Sequence, residues 1–270
     1  MKLGISTYAY TWSIGFPGAE PVCPMTAVDL LAKAHELGIM VVQIGPNLPI
    51  DQLSERELEA VVQQAREWGI ELELGTRGLE PKHLVHWISL AKQVGARFLR
   101  TTPEVTGGRL PELSVLLRNL NAVIPELAGQ SVKLGIENGQ IPASQIAGVL
   151  DELGSPWVGV TLDTVNSLAI PEGTEHVVQT LARYTVCLHV KEFVVQRMWH
   201  MMGFTVEGRP VGKGQLNVPW LLEKLSDVGV SPNAVLEVWP PQQKTLEETI
   251  ALEQAWVIES VQALRRYIAG

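Results

Sequence analysis

Four residues of one chain end apolar, β-rich runs and carry groups that bind metals or move protons. They are Glu137 in KLGIENG, Asp163 in VGVTLDTVN, His189 in CLHVKE and Glu237 in AVLEVW. The steps between them are 26, 26 and 48 residues (163 − 137, 189 − 163, 237 − 189). Side chains alternate faces along a strand, so each of the four lies opposite the bulky aliphatics of its run, such as Leu134 and Ile136 or Leu188 and Val190. Lys191 shares the face of His189, one pleat further on and directed towards a substrate. Cross-barrel ion pairing or placement at a rim is one explanation. Three carboxylates at one mouth, however, repel one another and are costly to bury without a compensating cation. A divalent metal supplies that charge. The donor set favours Mn²⁺, with Mg²⁺, Co²⁺ and Zn²⁺ also compatible, whereas a structural zinc site would favour thiolates.

The elements that must position these groups show as a repeat. AHELGIMVVQI, AREWGIELEL, AKQVGARFLR, LDELGSPWVGVTL and LSDVGVSPNAVLEV each run from an amphipathic segment through Gly into a β-rich stretch. Glycine just past a helix is the usual left-handed cap. Leu58, Val61, Val62 and Ala65 form one helical stripe, and Leu84, Trp87, Ile88 and Ala91 another. Ser54 with Glu57 and Thr245 with Glu248 read as capping boxes, and Pro81 suits a first helical turn. Strands are expected near 3–7, 40–44, 70–75, 97–101, 132–136, 158–162, 186–190 and 234–238. Eight alternating β and α units predict an α/β fold, a single (β/α)₈ TIM barrel over residues 1–270. A doubly wound sheet is disfavoured because no GxGxxG follows the first strand. One connection, residues 191–217 after the seventh strand, is long enough to be a lid loop.

Composition narrows the class. A net charge of −8 argues against a nucleic-acid scaffold, though not against small anionic substrates. No stretch reaches the roughly 18 unbroken apolar residues that span a bilayer. The opening MKLGISTYAY runs into a strand rather than a secretory leader, so a cytoplasmic protein is expected. Cys23 and Cys187 form no CxxC pair, and Cys187 reads as a small core residue. The exposed face of the C-terminal helices offers a surface for a homo-oligomer, although nothing in the sequence requires one.

The order Glu…Asp-x-x-(His)…His-x-Lys-Asp…Glu on the last four strands resembles the xylose isomerase-like TIM barrel superfamily of sugar phosphate isomerases and epimerases and AP endonuclease family 2-like proteins. The resemblance covers nearly the whole chain and is strongest from Leu134 to Trp239. It implies Glu137, Asp163, His189 and Glu237 as metal ligands, with Glu137 and Glu237 also the acid/base pair. Two positions depart from the pattern: Asn166 stands where many members have His, and Glu192 where Asp is usual. Asn166 can hydrogen-bond a substrate hydroxyl but cannot transfer a proton. Strict alternation points Glu192 away from the barrel interior. The extra His ligands of a three-zinc nuclease are missing: VQIGPN offers Gln43 and Asn47, and His83 and His86 lie in a helical run.

The lid sequence MWHMMGFTVEGRPVGKG resembles a sugar phosphate isomerase/epimerase-like subgroup, and also a decarboxylase family acting on branched 3-oxo sugar acids in apiose breakdown. Arg197, His200, Arg209 and Lys213 could meet a carboxylate or phosphate, or be an ordinary charged surface. Met198, Trp199, Met201, Met202 and Phe204 could cap a pocket or pack the loop down. Trp12 and Trp239 could stack on a sugar face, and Glu73 and Arg100 could pair across the barrel. The first expectation is isomerisation or epimerisation of a small polyhydroxy carbonyl compound through a metal-stabilised enediolate, with Glu137 and Glu237 exchanging the proton and Lys191 binding substrate. The alternatives are decarboxylation of a 3-oxo sugar acid on the same site and a non-catalytic sugar-binding barrel. A Schiff base on Lys191 would make the metal redundant.

Overall fold

The structure, a computed structural model, describes residues 1–103 and 110–268. Eight strands close into a parallel barrel: β1 (Leu3–Ser6), β2 (Val41–Ile44), β3 (Glu71–Gly75), β4 (Phe98–Thr101), β5 (Lys133–Glu137), β6 (Val158–Asp163), β7 (Thr185–Val190) and β10 (Asn233–Leu236). Going round the barrel the order is β1-β10-β7-β6-β5-β4-β3-β2, so consecutive barrel strands are neighbours throughout. Each expected strand is present, with ends shifted by one or two residues.

Helices follow the strands: α1 (Thr11–Ile14), α2 (Ala27–Glu36), α3 (Glu55–Glu67), α4 (Pro81–Val94), α5 (Leu113–Gln130), α6 (Ala143–Leu153), α7 (Thr174–Leu181), α8 (Val218–Asp227) and α9 (Leu246–Leu264). The capping boxes expected at Ser54 and Thr245 are formed, and Thr26 with Asp29 makes another at the start of α2. Gly38, Gly69, Gly95, Gly154 and Gly229, the five glycines of the repeat, all have φ between 55° and 79°. A side chain there would be strained, so glycine is what lets each helix stop and turn into the next strand. Leu58, Val61 and Ala65 of α3 and Leu84, Trp87, Ile88 and Ala91 of α4 are buried against the barrel. Each such large aliphatic side chain contributes roughly 1.5–3 kcal/mol relative to exposure.

The main core lies between the barrel and its helices, while Phe98, Cys187 and Val235 form a separate apolar plug inside the barrel. A Cβ on Gly135 would fall 2.8 Å from the Phe98 ring, so glycine makes room for that plug. Above it the interior turns polar.

The long connection after β7 is a structured hairpin. β8 (Glu192–Arg197) and β9 (Phe204–Arg209) pair antiparallel, with Glu192 opposite Arg209 and Arg197 opposite Phe204. Glu192 does turn away from the barrel interior and becomes the hairpin's anchor: its buried carboxylate accepts from the backbone N–H groups of Phe193 (3.0 Å), Gly212 (3.0 Å) and Leu216 (2.8 Å). Gly208 lies so close to Trp239 that a Cβ there would sit 2.5 Å from its carbonyl oxygen.

Candidate metal centre and active site

The interior faces of β5, β6 and β7 bring Glu137, Asp163 and His189 together, and the residue just past β10, Glu237, completes the group. All four are buried, with at most 2 % of their surface exposed. His189 Nδ1 lies 3.4 Å from Glu137 Oε2, 3.4 Å from Glu237 Oε1 and 3.9 Å from Asp163 Oδ2. Its other nitrogen, Nε2, is 2.8 Å from Gln43 Oε1. The Gln43 amide is oriented in turn, because its Nε2 donates to Glu73 Oε2 at 3.0 Å, and Asn233 donates to Glu73 Oε1 at 2.8 Å. Gln43 therefore accepts the Nε2–H proton, and the Nδ1 lone pair faces the carboxylates.

These residues fit a divalent cation. His189 Nδ1 and Glu237 Oε1 are buried without a hydrogen-bond partner among the described residues, and Asp163 Oδ2 has only the Lys191 ammonium, at 2.9 Å. Orphaned buried atoms of this kind are costly unless something polar joins them. Glu137, Asp163 and His189 each present a ligand atom within 4.8 Å of the others, and Glu237 Oε1 lies beside that trio, 3.4 Å from His189 Nδ1. Oxygen donors with one imidazole match Mn²⁺, Mg²⁺ or Co²⁺.

Fixed cations surround the group. Arg100 donates through Nε to Glu137, which replaces the expected Arg100–Glu73 pair; Glu73 is instead held by the neutral amides of Gln43 and Asn233. Asn166 also donates to Glu137, and Gly139, at φ +123°, allows Asn166 to approach within a distance that any Cβ would block. Lys191 Nζ reaches Asp163 Oδ2 at 2.9 Å, Glu237 Oε2 at 2.7 Å and Asn166 Oδ1 at 3.2 Å. Burial alone would raise the Glu137 carboxyl, but the Arg100 guanidinium, with the Lys191 ammonium behind it, overcomes this and holds the group well below the usual carboxylate range. Burial pulls Lys191 down, yet Asp163 and Glu237 outweigh it and keep it a firm ammonium. An ammonium paired in this way is a poor nucleophile for a Schiff base.

Two cavities share this centre, both bordered by Tyr8, Asn166, Ala169, Lys191 and Glu237. One, of about 420 Å³, is mainly apolar and runs past Val165, Leu168, Val206 and Trp239. The other, of about 660 Å³, is polar and runs past Glu137, Arg100, Arg77 and Gln140. Both are of the size that takes small-molecule ligands.

Not every candidate reaches these spaces. Trp239 lines the apolar cavity, whereas Trp12 packs against Phe16 at 5.1 Å and lines neither cavity. Arg197 and His200 are exposed on the hairpin, Arg209 pairs with Glu207 at 2.9 Å, and Lys213 lies 3.4 Å from Glu259. Of the hairpin, only Val206 borders the cavities. Trp199, Met201, Met202 and Phe204 neither cap a pocket nor pack down; Trp199 is 89 % exposed. His86 is exposed, and His83 is half-buried beside Thr76 Oγ1 at 2.8 Å. Tyr8, Arg77, Asn138, the pairing of Arg100 with Glu137 and the positioning role of Gln43 were missed by sequence reasoning. Asn138 holds Asp163 by accepting from its N–H at 2.7 Å and donating to its carbonyl at 3.0 Å. The only sequence signal for Asn138 and Arg77 is their place just past strand ends, in IENG and LGTRG.

Residues 31–266 match the family described as xylose isomerase-like TIM barrel. The chain is 33 % identical over 265 residues to a 3-oxo-isoapionate decarboxylase of Pectobacterium atrosepticum, covering 98 % of this chain and 95 % of the relative. Among solved structures, D-psicose 3-epimerase from Clostridium cellulolyticum H10, with D-tagatose, superposes with a TM-score of 0.72 at 16 % identity, covering 99 % of both chains. A xylose isomerase-like TIM barrel protein from Mycobacterium smegmatis, in complex with magnesium, gives a TM-score of 0.72 at 12 % identity over 97 % of each chain. At those identities the two structures speak for the fold, while the decarboxylase is a relative along the whole chain. Among the described residues no helix is long and apolar enough to cross a membrane.

Proposed function

The chain belongs to the xylose isomerase-like TIM barrel family, and on that premise we propose that it is a divalent-metal-dependent lyase that removes CO₂ from a 3-oxo sugar acid. The observation that carries the metal half is the unpartnered Nδ1 of His189 facing three buried carboxylates. The full-length relative favours decarboxylation over the other reactions open to this site.

When bound by Glu137, Asp163, His189 and Glu237, a divalent ion supplies Lewis-acid compensation for the oxyanion charge that builds on the substrate. Mn²⁺ is our assignment. The chain's own groups do the rest. The carboxylate carbon leaves as CO₂, and the electron pair of the broken C–C bond passes into the neighbouring carbonyl to give an enediolate. The α-carbon then takes a proton through Lys191 Nζ, which regains one from solvent water and so returns to its ammonium form; Lys191 borders both cavities and is shared with Glu237 at 2.7 Å. Arg100 and Asn166 hold Glu137 in one orientation and ionised. Trp239 and Val206 exclude water from the apolar side.

A second reading, isomerisation or 3-epimerisation of a keto-sugar, is favoured by one feature: Glu137 Oε2 and Glu237 Oε1 each lie 3.4 Å from His189 Nδ1, so two carboxylates that could share acid and base roles meet at one spot. One experiment separates the two. The Mn²⁺-supplemented protein is incubated in D₂O with 3-oxo sugar acids and with ketoses, following CO₂ by mass spectrometry and deuterium by NMR. CO₂ release with one deuterium in the product supports the lyase. Exchange into an intact ketose without CO₂ supports the epimerase and rejects the lyase.

A further inference from the structure

The candidate lid cations lie away from the cavities, which leaves open what receives the charged end of an acidic substrate. One residue of the polar cavity is built for that task. Arg77 is exposed, borders the cavity, and has as its only side-chain partner among the described residues the neutral Tyr8 hydroxyl, to which Nη2 donates at 3.0 Å. The other cavity cations are already engaged by carboxylates: Arg100 by Glu137, and Lys191 by Asp163 and Glu237. Arg77 is therefore the one guanidinium there that no carboxylate pairs among the described residues, and most of its donors are open to an incoming anion.

Its backbone is also fixed on both sides. Thr76 N–H donates to Arg100 O at 2.8 Å, Gly78 N–H to Thr102 O at 2.9 Å, and Thr101 Oγ1–H to Gly78 O at 2.7 Å. Gly78 has φ +98°, a conformation open to glycine, so the loop is set rather than merely exposed. Tyr8, which takes the Arg77 bond, stacks beneath Arg100 with the guanidinium carbon 5.7 Å from its ring centroid. Arg77, Tyr8, Arg100 and Glu137 thus form a continuous wall from the outer rim to the metal-ligand cluster. An arginine held in place loses little freedom on binding, and its planar fork suits a carboxylate or phosphate.

We propose that Arg77 and the Tyr8 hydroxyl form an anion-recognition subsite, which holds the carboxylate or phosphate of a polyhydroxy substrate while its carbonyl end reaches Lys191 and Glu237. The inference rests on the site being that of a sugar-processing enzyme, and it assigns the polar cavity to the charged end and the apolar cavity to the opposite end. An Arg-to-anion contact in such a setting is worth about 10- to 100-fold in affinity.

The test titrates wild type, Arg77→Ala and Tyr8→Phe, each with and without Mn²⁺, using three probes: D-gluconate, inorganic phosphate and neutral D-fructose. Calorimetry of Mn²⁺ alone runs in parallel. The expected result is that an anion binds wild type and is weakened about 10- to 100-fold by Arg77→Ala. Tyr8→Phe should weaken it less, and fructose should be indifferent to Arg77→Ala. Preference for gluconate identifies a sugar acid as the charged ligand; preference for phosphate identifies a sugar phosphate. Equal anion affinity in wild type and Arg77→Ala overturns the proposal, as does wild type that binds neither anion with or without Mn²⁺. Failure of Mn²⁺ to bind, with anion discrimination intact, counts against the metal reading and leaves this one standing.

Discussion

Gln43 Oε1 lies 2.8 Å from His189 Nε2, and that contact decides which ring nitrogen faces the carboxylate cluster. The two residues are 146 positions apart and meet across the barrel. With Glu73 holding the other end of the amide, Gln43 can only accept, so the imidazole carries its proton on Nε2 and offers Nδ1. Removing such a supporting partner typically costs 10- to 100-fold in metal affinity. Gln43→Leu is expected to weaken Mn²⁺ binding by about that factor, and His189→Ala to abolish it. Calorimetric titration with Mn²⁺ reads both; an unchanged affinity in Gln43→Leu would remove the positioning role.

Metal also bears on stability. A ligand that binds only the folded state adds about 2.7 kcal/mol at 100 times its Kd. Wild type should therefore melt several degrees higher with excess Mn²⁺ than with EDTA, and Asp163→Ala should show no such difference. A melting temperature indifferent to metal in wild type would contradict the centre as described.

Lys191→Met leaves Asp163 Oδ2 and Glu237 Oε2 without their shared ammonium. The expected outcome is a loss of kcat of about 100-fold or more, the range usual for a positioned proton-transfer group. Borohydride should trap no adduct with wild type, because the amine stays protonated. A trapped adduct at Lys191 would reverse the assignment.

Arg197→Ala and His200→Ala change exposed hairpin groups that border neither cavity. Each should leave kcat/KM within about twofold, since surface substitutions away from partners rarely cost more than 0.5 kcal/mol. A tenfold loss in either would place the hairpin tip in the reaction.

Glu253 gives a pH dependence independent of the metal centre. It lies on α9 and accepts from Trp12 N–H (2.8 Å), Ser13 N–H (2.9 Å) and Ser13 Oγ–H (2.7 Å). Burial pushes its carboxyl up to about 7, against the pull of those donors. The folded state then holds a proton that the unfolded chain gives up near 4.5, so stability falls as pH rises from about 4.5 to about 7. That window corresponds to about 3 kcal/mol at roughly 1.4 kcal/mol per pH unit. Glu253→Gln should flatten this part of the stability profile, read as the change in unfolding free energy between pH 5 and pH 8. An identical slope in both proteins would show that Glu253 does not titrate there.

Much of this was legible in the sequence, for a definite reason. Strand alternation and the glycine-capped repeat are local signals, and Glu137, Asp163, His189 and Glu237 each stand at the end of an apolar run that announces them. The Arg100–Glu137 pair and the Gln43–His189 contact carry no local signal, since they join residues 37 and 146 positions apart across a closed barrel. The hairpin carries a weaker local signal: Phe193–Arg197 and Phe204–Arg209 are rich in strand formers, but Arg, His and Met residues break the apolar alternation between them. At the tip Trp199, Met201, Met202 and Phe204 are exposed, and the loop is tied by Glu192, a carboxylate that works on its own backbone, and by Gln215, which bonds both backbone groups of Val195.

That arrangement makes the hairpin separable. A single side chain ties down its first residue, the turn at Gly212 and the approach to α8 at Leu216. The four exposed apolar residues of the tip hang from this clamp without touching the catalytic cavities. The tip can therefore be exchanged, lengthened or trimmed as a cassette while the barrel stays as it is, so long as a carboxylate is kept at the root.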